Sequence, residues 1–207
     1  MNMIIRSSDI AQWERFYRAN FINSLTAYKP AVLIGTQNGE GLHNLAIFSN
    51  VFHLGADPAL IGYIQRPIGQ SGHTYTNIKE TGYYTMNLVH EEIVEKAHYS
   101  SARFDKGVSE FEETNLTAEY IDGFLAPFVK ESKIKFGLEF VQEIPIELNN
   151  TIMVIGKINV VQIEEDMVES DGNIDAASAK IVATLGLEKY MQVGNFIKLP
   201  YANVKGK

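Results

Sequence analysis

Two long stretches in the second half of the chain restrict the possible folds most. From Ile134 to Leu148 apolar residues recur at nearly every second position, and Thr151 to Ile163 is apolar on both sides. Alternation is typical of a half-buried β-strand, whereas a strand that is apolar on both sides is typical of the middle of a sheet. Asn149 and Asn150 supply a turn between the two, and Pro145 predicts a bend in the first. Both stretches favour a fold dominated by strands.

Shorter apolar runs predict further strands at residues 31–36, 43–48, 59–65 and 83–89. Asn38-Gly39 lies between the first two runs and favours a tight two-residue hairpin turn, because both residues tolerate positive φ. Pro58 fits the first position of the third strand, where its missing N–H removes no ladder bond.

Helical spacing of apolar residues is found in shorter segments, at residues 8–20, 74–81, 91–99 and 174–185. Ser8 or Asp9 is expected to cap the first helix, whose apolar face is expected to pack on the strands. Thr74 is expected to cap the second helix, and Gly82 is expected to end it.

The remaining segments carry no regular period. Residues 101–115 are predicted to form a loop, and residues 194–201 are predicted to be extended. Strands dominate, so the expected fold is mainly β, a β-barrel with peripheral helices. The 207 residues are expected to form a single domain over 1–207, with a core at about 25–163 and a C-terminal extension at 164–207.

Composition narrows the classes of function. The formal net charge of −7 speaks against a nucleic-acid-binding protein, although a local cationic pocket for one phosphate is compatible with it. The absence of Cys excludes disulfides, thiolate catalysis and cysteine-ligated metals. The His residues have no metal-binding spacing, so no metal is predicted. No run approaches the ~18–20 apolar residues of a membrane span, and the N-terminus lacks a signal-peptide layout, so the expected location is the cytoplasm.

The polar residues most typical of a binding site fall between Asn44 and Val89. Small hydroxyl, amide or cationic groups end two predicted strands and open a predicted helix, and apolar stretches able to hold a flat ligand lie between them. Free N–H groups and the dipole at a helix N-terminus favour an organic phosphate. Ser and Asn at strand ends also bond local backbone, which is the structural alternative. The candidate cofactor-binding residues are Asn44, Ala46, Phe48, Ser49, Asn50, Arg66, Ser71, His73, Thr74 and Asn77.

The order and spacing of these segments resemble the flavin reductase-like family of FMN-binding split β-barrels. The resemblance rests on the run Asn44-Leu-Ala-Ile-Phe-Ser49, on Pro58 at the next strand, and on His73-Thr74-Tyr-Thr-Asn77-Ile at the start of a helix. It covers roughly residues 25–160 and continues more weakly to Tyr201. It implies a Greek-key-like antiparallel barrel that binds FMN, with FAD less expected, and a homodimer with the flavin near the subunit contact.

The resemblance also implies an activity. NADH or NADPH is expected to lie against the flavin and deliver hydride to its N5 atom, after which electrons pass to oxygen, free flavin or a partner enzyme. The sequence has no Gly-x-Gly-x-x-Gly motif, so the nicotinamide is expected to be a visiting substrate, and no catalytic side chain is predicted. Arg103 and Phe104 lie in a segment similar to one that borders the open flavin face, and are expected to help receive this substrate; a mobile surface loop is the alternative.

Three other functions remain open on the sequence. A non-catalytic FMN-binding electron carrier or storage protein would keep the phosphate site and lack nicotinamide access. An interaction protein built on a barrel would use the same polar residues only as caps and turns. An oxidase of pyridoxamine phosphate would need more basic residues than the chain offers in this region.

Overall fold

The computed structural model describes residues 2–67, 72–105, 107–192, 194 and 197–200. Its twelve strands are β1 (Tyr28–Pro30), β2 (Val32–Gln37), β3 (His43–Phe48), β4 (Val51–Ala56), β5 (Ala59–Gln65), β6 (Tyr83–Leu88), β7 (Ala118–Glu119), β8 (Phe128–Val129), β9 (Ile134–Ile146), β10 (Thr151–Ile163), β11 (Val182–Leu185) and β12 (Lys189–Gln192). The helices are α1 (Ser7–Gln12), α2 (Arg15–Leu25), α3 (His73–Thr81), α4 (Val94–Tyr99) and α5 (Glu110–Thr114), with short 3-10 helices at Glu91–Ile93 and Glu165–Met167.

Seven strands form the main sheet, in the order β3-β2-β6-β9-β10-β5-β4, and all neighbours are antiparallel. The two edge strands, β3 and β4, follow one another in sequence and are joined by Ser49 and Asn50. The backbone oxygen of Asn50 accepts a hydrogen bond from the N–H of Ile64 at 3.0 Å. At this junction the two edge strands of the sheet meet. The predicted dominance of strands is confirmed.

The long hairpin forms as predicted, with β10 between β9 and β5. The irregularities of its ladder lie elsewhere than expected. Register shifts leave Val141 and Asn159 without a partner, whereas Pro145 stays in register with Ile152. The turn at Asn38 also differs from the prediction, because it spans the five residues 38–42 and only Gly41 has a positive φ (85°). The Asn38 side chain accepts from the N–H groups of Glu40 and Leu42 and stabilises this longer loop.

The N-terminal helix differs from the prediction in two ways. It is broken between α1 and α2, because Glu14 begins a new helix by accepting hydrogen bonds from the N–H groups of Phe16 and Tyr17. Its apolar face is not packed on the strands either: neither helix contains a buried residue, and Phe16 is 70% exposed. The ring of Trp13 packs edge-on against two aromatic rings of this segment, Tyr17 and Phe21.

Three other segments were predicted wrongly. The loop at 101–115 contains α5, and β4 was missed. The helix expected at 174–185 is a turn followed by β11, because Lys180 has a φ of 55° and cannot continue a helix. Of the extended segment at 194–201, the described residues lie in no helix or strand, and the rest lies outside the described residues.

Apolar residues are buried on both faces of β2. Val32 and Ile34 belong to a cluster inside the barrel with Tyr63 and Tyr84, whereas Leu33 packs on the opposite face. The outer cluster lies beneath α4 and α5 and reaches Val182 of β11. Close packing in the outer cluster fixes the position of α4, α5 and β11 relative to β3. No helix within the described ranges is long and apolar enough to cross a membrane.

Candidate functional site

A cleft of about 520 Å³ opens between the β3–β4 junction, the end of β5, the start of α3 and the β11–β12 hairpin. It brings together ten of the twelve residues proposed from sequence for the cofactor and substrate. Ser71 lies outside the described residues, and Asn77 lines an adjoining cavity instead. The ten are Asn44, Ala46, Phe48, Ser49, Asn50, Arg66, His73, Thr74, Arg103 and Phe104.

Strand alternation explains how β3 presents three of these residues. Asn44, Ala46 and Phe48 are separated by two positions and therefore lie on one face of the strand. The Phe48 ring packs edge-on against Tyr63 in the barrel interior, with ring centroids 5.2 Å apart. The small side chain of Ala46 leaves space between the two larger neighbours. This face can accept a flat ligand with polar groups at one end.

The start of α3 is joined to β3 by a buried hydrogen bond. The Asn44 amide Nδ2 donates to Thr74 Oγ1 at 2.9 Å, and both side chains are buried. Thr74 is the second residue of the helix, and Gly72 precedes the helix as its N-cap, so the expected capping role of Thr74 is wrong. Gly82 ends the helix in a left-handed conformation (φ 77°), as predicted.

Basic side chains line or border the cleft. Arg66 follows β5 and is exposed, and His73 opens α3; both line the cleft. Lys29 of β1 lies near Arg66: burial lowers its pKa, and the positive charge of Arg66 lowers that pKa further. Arg66 and Lys29 are therefore neighbouring cations in a chain with a net charge of −7, and they suit an anion.

Gln65 shows that the cleft is suited to a ligand with a donor group. Its amide Nε2 donates to the Arg66 backbone oxygen at 3.1 Å. Its Oε1 atom is buried and has no hydrogen-bond partner among the described residues, although Gln65 lines the cleft. A buried acceptor without a partner is costly, so an N–H group on a bound ligand would stabilise it.

Glu110, the first residue of α5, adds a buried carboxylate to the cleft wall. Its Oε2 accepts a hydrogen bond from the Leu45 N–H at 3.0 Å, and the residue is only 8% exposed. Burial raises the pKa of Glu110, while the Leu45 hydrogen bond and the charge of His73 act in the opposite direction. The carboxylate holds the edge of β3 in place and borders the position of His73.

Residues of α4 and β12 form another wall of the cleft. His98 Nδ1 and the Tyr190 hydroxyl are 3.0 Å apart and link the two elements. Burial raises the pKa of Tyr190. Phe104 packs edge-on against Tyr99, with ring centroids 5.5 Å apart, and is the anchored aromatic of its loop. In the described part of the chain, no group of three or more His, Asp or Glu side chains is arranged to hold a metal ion.

Comparison with known proteins identifies the family. Residues 26–178 match the family model of the flavin reductase like domain. The chain belongs to the flavin reductase-like family. A solved structure from Shewanella frigidimarina NCIMB 400, provisionally described as a flavin reductase with a split barrel domain, is 46% identical and has a TM-score of 0.94 over 97% of this chain and 100% of that one. The predicted split barrel is thereby confirmed.

Two more distant proteins are similar to the chain, one in structure and one in sequence. Nitrilotriacetate monooxygenase component B from Bacillus cereus is 22% identical, with a TM-score of 0.85 over 96% of this chain and 99% of that one. A protein of Aquifex aeolicus (strain VF5) without an assigned function is 23% identical over 201 residues, 96% of this chain and 99% of its own length. The similarity therefore extends well beyond the domain match at both ends.

Several residues of the cleft in this flavin reductase-like protein were not found from sequence. Gln65 is the last residue of β5, which was predicted correctly, and it directly precedes the candidate residue Arg66. Its position in the sequence could therefore have identified it as a residue of the site. Glu110 was missed because its segment was predicted as a loop. Thr184 was missed because the helix predicted at 174–185 covers β11, and Tyr190 was missed because no element was predicted at β12.

Proposed function

We propose that the chain binds FMN in the cleft and catalyses its reduction by NADH or NADPH, as an NAD(P)H-dependent flavin oxidoreductase. The observation that carries the proposal is the meeting of separate polar segments around one cleft in a member of this family. The volume of about 520 Å³ lies within the range of cofactor sites in proteins. The Shewanella relative's description agrees with this activity.

The residues of the cleft suit the two chemical ends of FMN. Arg66 can donate two hydrogen bonds to a phosphate, and the first turn of α3, with His73 and Thr74, adds N–H groups and the positive end of the helix dipole. The Gln65 Oε1 atom offers an acceptor to a ring N–H. Ala46 and Phe48 provide an apolar surface for the ring system. Ser49 and Asn50 lie at the strand junction, where hydroxyl, amide and backbone groups can contact the cofactor.

FMN held in the cleft would supply the redox chemistry, as an acceptor of hydride from a nicotinamide and a donor of electrons to a further acceptor. The chain orients the two reactants and stabilises the added negative charge. Arg66 and the first turn of α3 hold the phosphate, and Gln65 fixes the orientation of the ring edge. Arg103 and Phe104 border the opening and would receive the nicotinamide. Glu110 keeps the β3 edge in position through Leu45.

A homodimer and a cytoplasmic location are part of the same proposal. The helices α1 and α2 contain no buried residue, and large apolar side chains there are exposed, among them Phe16 at 70% and Leu25 at 63%. Apolar surface of this kind is typical of a contact with another chain. Light scattering during size-exclusion chromatography is expected to give twice the chain mass. A monomer at micromolar concentration would contradict this part.

The activity is tested by the visible spectrum of the purified protein, recorded without oxygen before and after adding NADH and then NADPH. Flavin bands that bleach rapidly with either nucleotide would support both cofactor and activity. Flavin bands that persist with both would contradict the reductase and favour the electron carrier. A colourless protein that takes up no added FMN would contradict the proposal as a whole.

A further inference from the structure

Glu110 is a buried carboxylate of the cleft wall whose hydrogen bonds the fold satisfies only in part. The residue is 8% exposed and lines the cleft. The backbone N–H groups of Leu45 and of Glu110 itself donate to the carboxylate, the first at 3.0 Å. No side chain of the described residues donates to it or forms an ion pair with it. An ionised carboxylate has about four lone-pair sites, so Glu110 can accept further hydrogen bonds from a ligand.

The fold holds this carboxylate at a fixed position beside β3. Glu110 is the first residue of α5, and its backbone oxygen accepts a hydrogen bond from Thr114 Oγ1 at 2.6 Å. The next residue, Phe111, is buried in the outer cluster together with Leu33 and Leu45. Close packing of this cluster fixes α5 against the sheet. The Glu110 side chain is therefore prepositioned at the edge of β3.

The hydrogen-bonding pattern of β3 shows where the carboxylate lies relative to a ligand in the cleft. The Leu45 N–H is bonded to Glu110, so it points away from β2. Ile47 is two residues further along the strand, and its N–H points to the same edge. Ile47 also lines the cleft. A ligand that follows this edge of β3 therefore meets the Ile47 backbone and then the Glu110 carboxylate.

Glu110 lies between the two ends of the site proposed for FMN. Asn44, next to Leu45, is bonded to Thr74 at the start of α3, where the phosphate is proposed to bind. Phe48, which faces the proposed ring position, is three residues beyond Leu45, or about 10 Å along the strand. The part of FMN that joins its ring to its phosphate is the ribityl chain, which carries several hydroxyl groups.

The charge of Glu110 decides which part of the ligand it can contact. A carboxylate repels a phosphate, and it gains nothing from an alkyl chain that leaves its lone pairs unpaired. An O–H group is the donor that suits it, because hydrogen bonds to an ionised acceptor are short and strong. Hydroxyl groups are the donors that a polyol chain offers at this position.

We propose that Glu110 binds the hydroxyl groups of the ribityl chain and makes the cleft selective for flavins that carry this polyol. The proposal rests on the proposed function, because it takes the ring and phosphate positions of FMN as its starting points. Glu110 then has two roles: it holds the edge of β3 through Leu45, and it recognises the ligand. A site built to bind a hydroxyl group strongly rejects the analogue that lacks it.

Two ligands that differ only in these hydroxyl groups test the selectivity. The first is FMN, and the second is its deoxy analogue, in which hydrogen replaces every ribityl hydroxyl while the ring and the phosphate stay the same. Dissociation constants are measured by the quenching of flavin fluorescence on the flavin-free full-length protein. The original chain is expected to bind FMN more tightly than the deoxy analogue by about tenfold or more.

Glu110→Gln separates the two roles of the residue. Glutamine keeps an acceptor for the Leu45 N–H and removes the charge, so the ratio of the two dissociation constants should fall by about fivefold. Any effect of the lost charge on the phosphate is common to both ligands and cancels in the ratio. Glu113→Gln makes the same charge change at an exposed position of α5 that does not line the cleft, and should leave the ratio unchanged.

The remaining outcomes count against the inference. An equal loss of affinity for both ligands in Glu110→Gln would show that Glu110 acts only through β3. A ratio near one in the original chain would also overturn the inference, and this test does not depend on the folding of any variant. Both results leave the proposed function intact if FMN binds. A chain that binds neither ligand contradicts the proposed function and this inference together.

Discussion

Two buried polar regions of this molecule differ in how completely their hydrogen bonds are satisfied. Near β7 and β8, the Lys135 ammonium is 4% exposed and donates to Glu119 and to the backbone oxygens of Val129 and Lys130. In the cleft, the Gln65 Oε1 atom is buried and has no hydrogen-bond donor among the described residues. The first region uses its polar groups to hold the fold, and the second leaves them available for a ligand.

This contrast has a general lesson, because a buried polar group costs free energy unless it is bonded. Where the chain satisfies every donor itself, a structural role is sufficient. Where a buried oxygen that lines a cavity has no donor, as at Gln65, a bound molecule is the simplest partner.

The largest effect is expected at Lys135. Lys135→Met removes the ammonium and leaves Glu119 and two backbone oxygens without their donor, so the free energy of unfolding should fall by about 3 kcal/mol or more. Urea denaturation measures this loss. FMN affinity of the folded fraction should stay unchanged, since Lys135 does not line the cleft. A loss below about 1 kcal/mol would show that Lys135 does not have the structural role assigned to it.

The opposite pattern is expected at Arg66, which is exposed and lines the cleft. Arg66→Gln should weaken FMN binding by roughly 10- to 100-fold, the value of one charge-assisted hydrogen bond, with little change in unfolding free energy. Calorimetric titration measures the first quantity and urea denaturation the second.

The double variant Arg66→Ala with Thr74→Ala should weaken FMN binding further, although it also leaves the buried Asn44 Nδ2 without an acceptor. Thr74→Ser keeps the hydroxyl and is the control for that loss. Unchanged FMN affinity in both Arg66 variants would remove the phosphate site from this region.

Two hydroxyl groups inside the barrel, those of Tyr63 and Tyr84, are fully buried and have no partner among the described residues. Neither residue lines the cleft or the cavity that adjoins it at the start of α3. They therefore test whether a buried hydroxyl without a partner matters away from the site. A Cβ added at Gly156 would lie 2.1 Å from the Tyr84 hydroxyl oxygen. Gly156→Ala should therefore destabilise the fold by about 1–3 kcal/mol through overpacking.

Tyr84→Phe removes the oxygen and should restore part of the stability in the Gly156→Ala background, because the ring carbon Cζ still lies 2.8 Å from the added Cβ. On its own, Tyr84→Phe should be neutral or slightly stabilising, because it removes a buried hydroxyl without a partner. Both are read from urea denaturation. FMN binding should not change, because Tyr84 lines neither cavity. Strongly weakened FMN binding in Tyr84→Phe would show that a buried hydroxyl outside both cavities also contributes to the site.

The smallest effect concerns the link between α3 and β9. The Tyr75 hydroxyl donates to Glu143 at 2.7 Å and Lys79 donates at 3.0 Å, and these contacts hold the pKa of Glu143 below its usual value. The resulting stability is present above the unfolded-state pKa of Glu143 and is lost as the pH falls through the lower folded-state pKa. Because the pair is partly exposed and screened, the contribution should stay below about 1 kcal/mol.

Glu143→Gln is the variant that tests this link. The urea midpoints of the original chain and the variant should differ at neutral pH and converge towards about pH 3, where the carboxyl is protonated. A difference that stays constant over this range would assign the effect to packing rather than to charge.

The sequence was sufficient for those elements whose signals are local. The alternation from Ile134 and the apolar stretch from Thr151 define β9 and β10, and the order of Asn44, Arg66 and His73 located one side of the cleft. Helix caps were harder, because Gly72 rather than Thr74 precedes α3, and Glu14 starts a second N-terminal helix.

The far side of the cleft depends on contacts between distant segments. The β11–β12 hairpin is stabilised by pairing between β11 and β1, whose residues are more than 150 positions apart in the chain. Local spacing favoured a helix at 174–185, over the residues of β11, and long-range pairing prevailed. Asn77 was placed at the cleft by its helical spacing from His73, but the hydrogen bond to Thr36 holds it in the adjoining cavity.

The central claim is that flavin occupies the cleft with its phosphate at the cationic side. A crystal structure of the full-length protein grown with FMN tests it most directly. The account predicts ring density between β3 and the β11–β12 hairpin, a phosphate within hydrogen-bond distance of Arg66 and the first turn of α3, and a donor on Gln65 Oε1. Density for FMN at another place, or a cleft that holds only water at saturating FMN, would contradict it.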